Sequence, residues 1–320
     1  MTSSPGSATR VHDGGVARNR REDEHHGLVV VDKPPGLTSH DVVARLRKVY
    51  GQRSVGHAGT LDPSATGVLL VGLGDATRLL RFLQETTKGY VGTVVFGSAT
   101  DSLDADGAVT AEFDMQALTE DDCHGASRRF IGDIEQIPPM VSAIKVDGRR
   151  LHELAREGKQ IERKPRAVRV DSFDITGFRP GTQPEADIAV ECSSGTYIRS
   201  LAADLGTALG GGAHLRDLRR TRVGSFTLAD AHRLAEVEVN SLACVRAPLD
   251  AMRALERVDI TDEVAAKVVN GNTFSAREFL PDSAGAGPFA VACAGRLIAV
   301  YERRGAGVKP AVVLASETQR

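Results

Sequence analysis

At 320 residues, 41% apolar and 26% charged, the chain can bury the core of one large domain plus a small one. A formal net charge of −2 excludes nucleic-acid binding by bulk electrostatics and confines any such contact to local basic patches. The four cysteines, at 123, 192, 244 and 293, form no CxxC pair, and no apolar run reaches the ~20 residues a membrane helix needs. With no apolar core of a signal peptide at the N-terminus either, the expectation is a soluble cytoplasmic protein, without membrane or metal partner.

Residues 1–26, rich in Ser, Gly, Arg, Glu and Asp, cannot offset ordering entropy and read as a disordered tail. Order is expected from Gly27, where Leu28–Val31 forms a short strand stopped by Pro34-Pro35-Gly36. Thr38-Ser39-His40-Asp41 supplies capping residues for a helix through Val42–Arg47. Gly67–Gly72 reads as a buried strand, Ala76–Leu83 as a helix, and Tyr90–Phe96 alternates as a strand with Tyr90, Val94 and Phe96 on one face. Further strands are expected over 166–178 and 185–199, then a helix over Ser200–Leu209. Strands without regular strand–helix alternation predict an α+β fold: a mixed, largely antiparallel sheet flanked by helices, spanning 27–252. A small β-rich accessory unit is expected over 253–320, with a helix Asp262–Val269, a turn at Asn270-Gly271-Asn272 and strands near 287–302 and 308–315.

Within Gly56-His57-Ala58-Gly59-Thr60-Leu61-Asp62-Pro63, two readings of the acid stand open. Asp at an N-cap with Pro at the first helical position is a common helix start. Alternatively, Gly56, Gly59 and Gly67 bracket an acid on a tight loop, Pro63 restricts its backbone, and the carboxylate serves as a nucleophile. Tyr197 and Arg199, two apart at the end of an alternating strand, share a face, with Ile198 toward the core. That face is either plain solvated surface or the site of a guanidinium that lowers the pKa of a neighbouring carboxylate. Two stretches are basic: Lys145–Val170, with nine Lys/Arg against four Asp/Glu, and His214–Arg222, with four Arg against one Asp. The first is the usual pattern of a solvated face, and the second, denser in Arg, favours phosphate contact.

Gly72-Leu73-Gly74 lacks the third glycine of a dinucleotide fingerprint, Asp104-Ala105-Asp106-Gly107 fails as a calcium loop, and no HExxH pair exists. A glycosidase would need a second acid facing Asp62, for which Asp104 is the nearby candidate.

The run Gly56–Leu70 resembles the signature of the TruB family of tRNA pseudouridine synthases. So do Asp32–Ser39, Lys88-Gly89-Tyr90, Asp104–Gly107, Pro138-Pro139-Met140, Gly195–Arg199 and Gly212–Arg220, all in the family's order across residues 27 to 225. The resemblance implies a cofactor-free, metal-free, monomeric isomerase acting on uridine 55 in the T-arm loop of tRNA, with a PUA-like RNA-binding C-terminal unit. It implies Asp62 as nucleophile, Arg199 as its charged partner and Tyr90 stacked on the flipped uracil. His57 would insert where the base leaves, and Tyr197 and Leu218 would line the uracil pocket. Lys33, Lys145, Arg216, Arg219 and Arg220 are the expected RNA-backbone contacts. Val141 departs from the tyrosine expected there.

Overall fold

A computed structural model describes residues 25–142, 145–146, 149–150, 157 and 161–314. Its centre is a ten-stranded mixed sheet. Along its main path run His232–Arg233, Gly27–Lys33, Thr66–Leu73, Ala213–Val223, Lys88–Phe96, Glu185–Cys192, Arg166–Arg179 and Gly132–Gln136. Val55–Ala58 pairs with Thr66–Leu73, and Phe226–Thr227 with Ala213–Val223. Among the described residues of this sheet only the pairings of Gly27–Lys33 with His232–Arg233 and of Ala213–Val223 with Thr66–Leu73 are parallel, so the expected α+β architecture is what the chain adopts.

The near-continuous apolar runs at 28–31 and 68–71 follow from burial on both faces of the sheet. Val29, Val31, Leu69 and Val71 pack toward the helix Ser39–Val49, through its Val42, Val43 and Leu46. Leu28, Val30, Val68 and Leu70 pack instead into a cluster shared with Ala290, Leu297, Val300 and Val312 of the C-terminal strands. The Ser39–Val49 helix starts where its capping residues predict: Thr38 and Asp41 satisfy each other's backbone N–H groups in a capping box. On the far side, the helix Ile198–Ala208 buries Ile198, Leu201, Ala202 and Leu205 against Tyr90, Val94, Phe96, Ile188 and Val190.

The C-terminal sheet orders Glu256–Asp259, Phe289–Cys293, Arg296–Arg304, Gly307–Val313 and Phe274–Ser275, with the helix Asp262–Val269 as expected.

Four local readings are corrected. The stretch 76–83 is a 3-10 turn, Gly74–Leu79, followed by a short helix, Leu80–Gln84. The strand expected over 287–302 is a hairpin, because Ala294 and Gly295 both adopt positive φ and reverse the chain. The strand expected over 185–199 stops at Cys192, since Gly195 takes φ +90° and the helix begins at Ile198. Residues 1–24 of the expected tail lie outside the described residues. Its last two are tied down: His25 exchanges two bonds with the Gln52 carboxamide, and His26 lies 3.5 Å from Asp75.

Candidate active site

The loop between Val55–Ala58 and Thr66–Leu73 carries Asp62, and no helix follows Pro63, so Asp62 is not an N-cap. Its neighbours' peptides are instead pinned by buried donors. Arg220, 1% exposed, bonds the carbonyls of Gly59 (3.2 Å), Thr60 (3.3 Å) and Val68 (2.8 Å). Ser39 Oγ accepts from the Leu61 N–H at 2.8 Å and donates to its carbonyl at 3.2 Å. Lys33 Nζ, fully buried, donates to the carbonyls of Pro63, Leu37 and Pro34, and the Gly36 N–H joins it on Pro63. Gly67 is required here, because a Cβ on it would lie 2.1 Å from the Arg220 carbonyl. The loop is thus rigid without being a helix, and it holds its acid in the pocket.

Arg199 reaches this acid from the first turn of Ile198–Ala208, where it is 4% exposed. Its Nε stands 3.1 Å from Asp62 Oδ2 and its Nη1 3.2 Å from Asp104 Oδ2, while Nη1 and Nη2 also donate to the Ser102 and Val141 carbonyls. The Val141 contact uses the backbone, so the side-chain departure at that position leaves it untouched. Asp104 sits in a tight turn with Leu103 at φ +64° and accepts from Ser102 Oγ and the Asp106 N–H. It is a partner of Arg199, not an acid facing Asp62 across a glycosidic bond. Tyr197 precedes the helix and Arg199 lies in it, so the shared strand face expected for them is replaced by a strand-to-helix corner.

One pocket is lined by Asp62, Tyr90, Tyr197, Arg199 and Leu218, together with Lys88 and Arg220. Burial raises the Asp62 carboxyl above the usual carboxylate range, and Asp104 and Asp106 push the same way; Arg199 and Lys33 pull it down. Arg199 therefore opposes a net upward shift instead of producing a net lowering. Burial also raises Tyr90, against the Arg220 guanidinium beside it, and lowers Lys88 to about 8. His57 packs edge-on to His40, ring centroids 5.2 Å apart, and burial with that neighbour holds it down at about 4, neutral at pH 7.

Residues 47–198 match the model described as "TruB family pseudouridylate synthase (N terminal domain)", and residues 199–258 match "tRNA pseudouridylate synthase B C-terminal domain". The chain is 44% identical over 295 residues to tRNA pseudouridine synthase B of Mycolicibacterium paratuberculosis, covering 91% of this chain and 98% of that protein. It is 48% identical over 255 residues to the protein of the same name from Symbiobacterium thermophilum, covering 80% and 85%. The chain belongs to the TruB family of tRNA pseudouridine synthases. Its fold is similar to a chain in the crystal structure of a Cbf5–Nop10–Gar1 complex, with TM-score 0.69 and 27% identity over 91% of this chain and 86% of that one. The two TruB matches meet inside the site: Asp62, Tyr90, Asp104 and Tyr197 fall in the first, Arg199, Leu218 and Arg220 in the second.

Of the basic residues expected on an RNA backbone, Lys33 and Arg220 are buried with their donors on carbonyls, a placement that does not offer them to phosphate. Arg216 pairs with Glu185 and Asp217, and Arg219 with Asp32, each through its guanidinium. Strand alternation turns Arg219 to the sheet face opposite Leu218 and Arg220, away from the pocket. Lys145 forms a two-residue strand pairing with Arg149–Arg150, and its side chain lies outside what is described. Sequence reasoning passed over Lys88, Gln136 and Ser39. Lys88 and Ser39 were legible inside Lys88-Gly89-Tyr90 and Asp32–Ser39; Gln136 carries no signal beyond being polar next to a structural boundary. Among the described residues no group of three His, Cys, Asp or Glu is placed to hold a metal, and no helix is long and apolar enough to cross a membrane.

Proposed function

We propose that this TruB-family enzyme converts uridine 55 in the T-arm loop of tRNA to pseudouridine, with Asp62 as nucleophile. The observation that carries the reading is the Asp62 carboxylate held 3.1 Å from the buried Arg199 guanidinium in a pocket walled by Tyr90, Tyr197 and Leu218. A base inside a folded loop cannot be reached, so the nucleotide is flipped out at a cost of a few kcal/mol. Stacking on Tyr90, at ~1–3 kcal/mol for a base on an aromatic ring, offsets much of that. His57, neutral at pH 7, would enter the space the base vacates without a charge to desolvate.

In the reaction the C1′–N1 bond breaks, the uracil turns within the pocket, and C1′ rejoins at C5. C5 then loses its proton and N1 gains one, so the product is an isomer. Asp62 must be ionised to act, and Arg199 favours that form. The pocket walls keep the detached base beside C1′ for the second bond. T-arm RNA tritiated at C5 of the target uridine tests the assignment: the wild type is expected to release tritium and Asp62→Asn none. Release at the normal rate by Asp62→Asn would sink it.

A further inference from the structure

The segment Gln136–Ser142 lies beside the proposed catalytic residues, and its bonds converge on the turn that holds Arg199. Gln136 closes the edge strand Gly132–Gln136 and is 1% exposed. Its Nε2 donates to the Tyr197 carbonyl at 3.0 Å, and its Oε1 accepts from the Tyr197 N–H at 2.7 Å. One side chain thereby makes both bonds of a backbone bridge to the residue that starts the helix Ile198–Ala208. That start has no side-chain cap hydrogen bond of its own, and the preceding strand has already ended at Cys192. Two more contacts join the same two segments. Ser200 Oγ donates to the Ile137 carbonyl at 2.9 Å and Arg199 Nη2 to the Val141 carbonyl at 2.8 Å.

We propose that Gln136 is a positioning residue: by clamping the Tyr197 backbone it fixes the first turn of this helix, and with it the aim of the Arg199 guanidinium at Asp62. The proposal rests on the reading of Asp62 and Arg199 given above. Arg199 must bring one planar head to two carboxylates and two carbonyls at once, so its backbone origin has to be set within a fraction of an ångström. Helix-start peptides are otherwise the least constrained part of a helix. The turn just before it is bridged by Thr196 Oγ1, which donates to the Ser193 carbonyl at 3.0 Å, but that bond ends one residue short of Tyr197. Gln136 supplies the restraint from a strand on the opposite side of the corner. Its amide carries both a donor and an acceptor, and Tyr197 presents the complementary pair. Glutamate lacks the donor and methionine lacks both, so neither can replace it.

A double-mutant cycle separates positioning from simple stabilisation. Gln136→Met, Arg199→Met and the double variant are compared by single-turnover conversion of T-arm RNA, by tRNA affinity, and by circular dichroism melting to confirm each is folded at the assay temperature. Gln136→Met is expected to slow conversion about 10- to 100-fold, as misplacing a reacting group does, with affinity held within about threefold. The double variant is expected to be no slower than Arg199→Met alone. Losses that multiply would show that Gln136 acts elsewhere, and overturn the proposal while leaving the site reading intact. A near-normal rate for Arg199→Met would overturn both. Should Gln136→Met fail to fold, Ser200→Ala decides by the same criterion. It removes one contact between the same segments and is expected to cost about two- to fivefold, absorbed in the Arg199→Met background.

Discussion

The two faces of the strand Ala213–Val223 treat arginine in opposite ways. On the pocket face Arg220 is buried, bonds three carbonyls, and takes part in none of the ion pairs among the described residues. On the other face Arg216, Arg219 and Arg222 are at least partly exposed, and each meets a carboxylate of its own strand or a nearby one. The difference teaches that an Arg-dense stretch says little by itself about RNA. Strand alternation, broken by register shifts between Leu215 and Asp217 and between Arg220 and Arg222, gives the guanidiniums separate tasks, and the buried Arg220 organises the Asp62 loop. The exposed ion pairs are individually weak, since solvent and salt screen them and ordering two long side chains costs entropy.

Substitutions on the two faces should therefore differ sharply. The largest effect is expected for Arg220→Met, which strips the buried Val68 carbonyl and the less buried Gly59 and Thr60 carbonyls of their donor; a loss of about 3–5 kcal/mol in urea unfolding follows from unpairing them together, and turnover should fall with the loop's order. Next comes Arg199→Met, expected to slow turnover about 100-fold while leaving tRNA affinity nearly unchanged. Because Arg199 pulls the Asp62 carboxyl down against burial, its removal should also move the acid limb of the kcat profile to higher pH. An unmoved limb would separate Arg199 from Asp62 ionisation.

Lys33→Met should show a subtler signature. Burial lowers the folded-state pKa of Lys33 to about 8, below its unfolded value. The folded protein thus binds fewer protons between the two values, and stability should rise as pH increases from 8 toward 10. Lys33→Met is expected to lack on the order of 1–2 kcal/mol of that rise, read from unfolding curves at the two pH values. Smallest of all, Arg222→Ala on the exposed face should cost less than about 1 kcal/mol. A larger loss there would erase the contrast between the faces.

What was legible in the sequence follows the range of the interactions. The capping box at Thr38, the apolar strands and the glycine-bracketed loop are local, and each reads directly from neighbouring residues. Arg199 was found through its motif but placed on a strand, because Thr196-Tyr197-Ile198-Arg199 continues the alternation of 185–192 and only the φ of Gly195 reveals the corner. Asp104 was visible in its Asp-Ala-Asp-Gly motif, yet its partner stands on a helix far along the chain. Gln136 was out of reach, since a buried carboxamide bonded to a distant backbone leaves no periodic trace. The hairpin at Ala294-Gly295 was hidden by the unbroken apolar character of 289–293 and 297–301.

The apolar cluster that Leu28, Val30, Val68 and Leu70 share with Leu297, Val300 and Val312 has a mechanical meaning. The strand Thr66–Leu73, which leaves the Asp62 loop, rests part of one face on the C-terminal sheet. A load applied to that sheet would pass through close-packed side chains to the strand that leaves the Asp62 loop. Cutting the chain ahead of that sheet would bare part of this face to water. The C-terminal strands are thus a foundation of the Asp62 loop as much as an appendage to it.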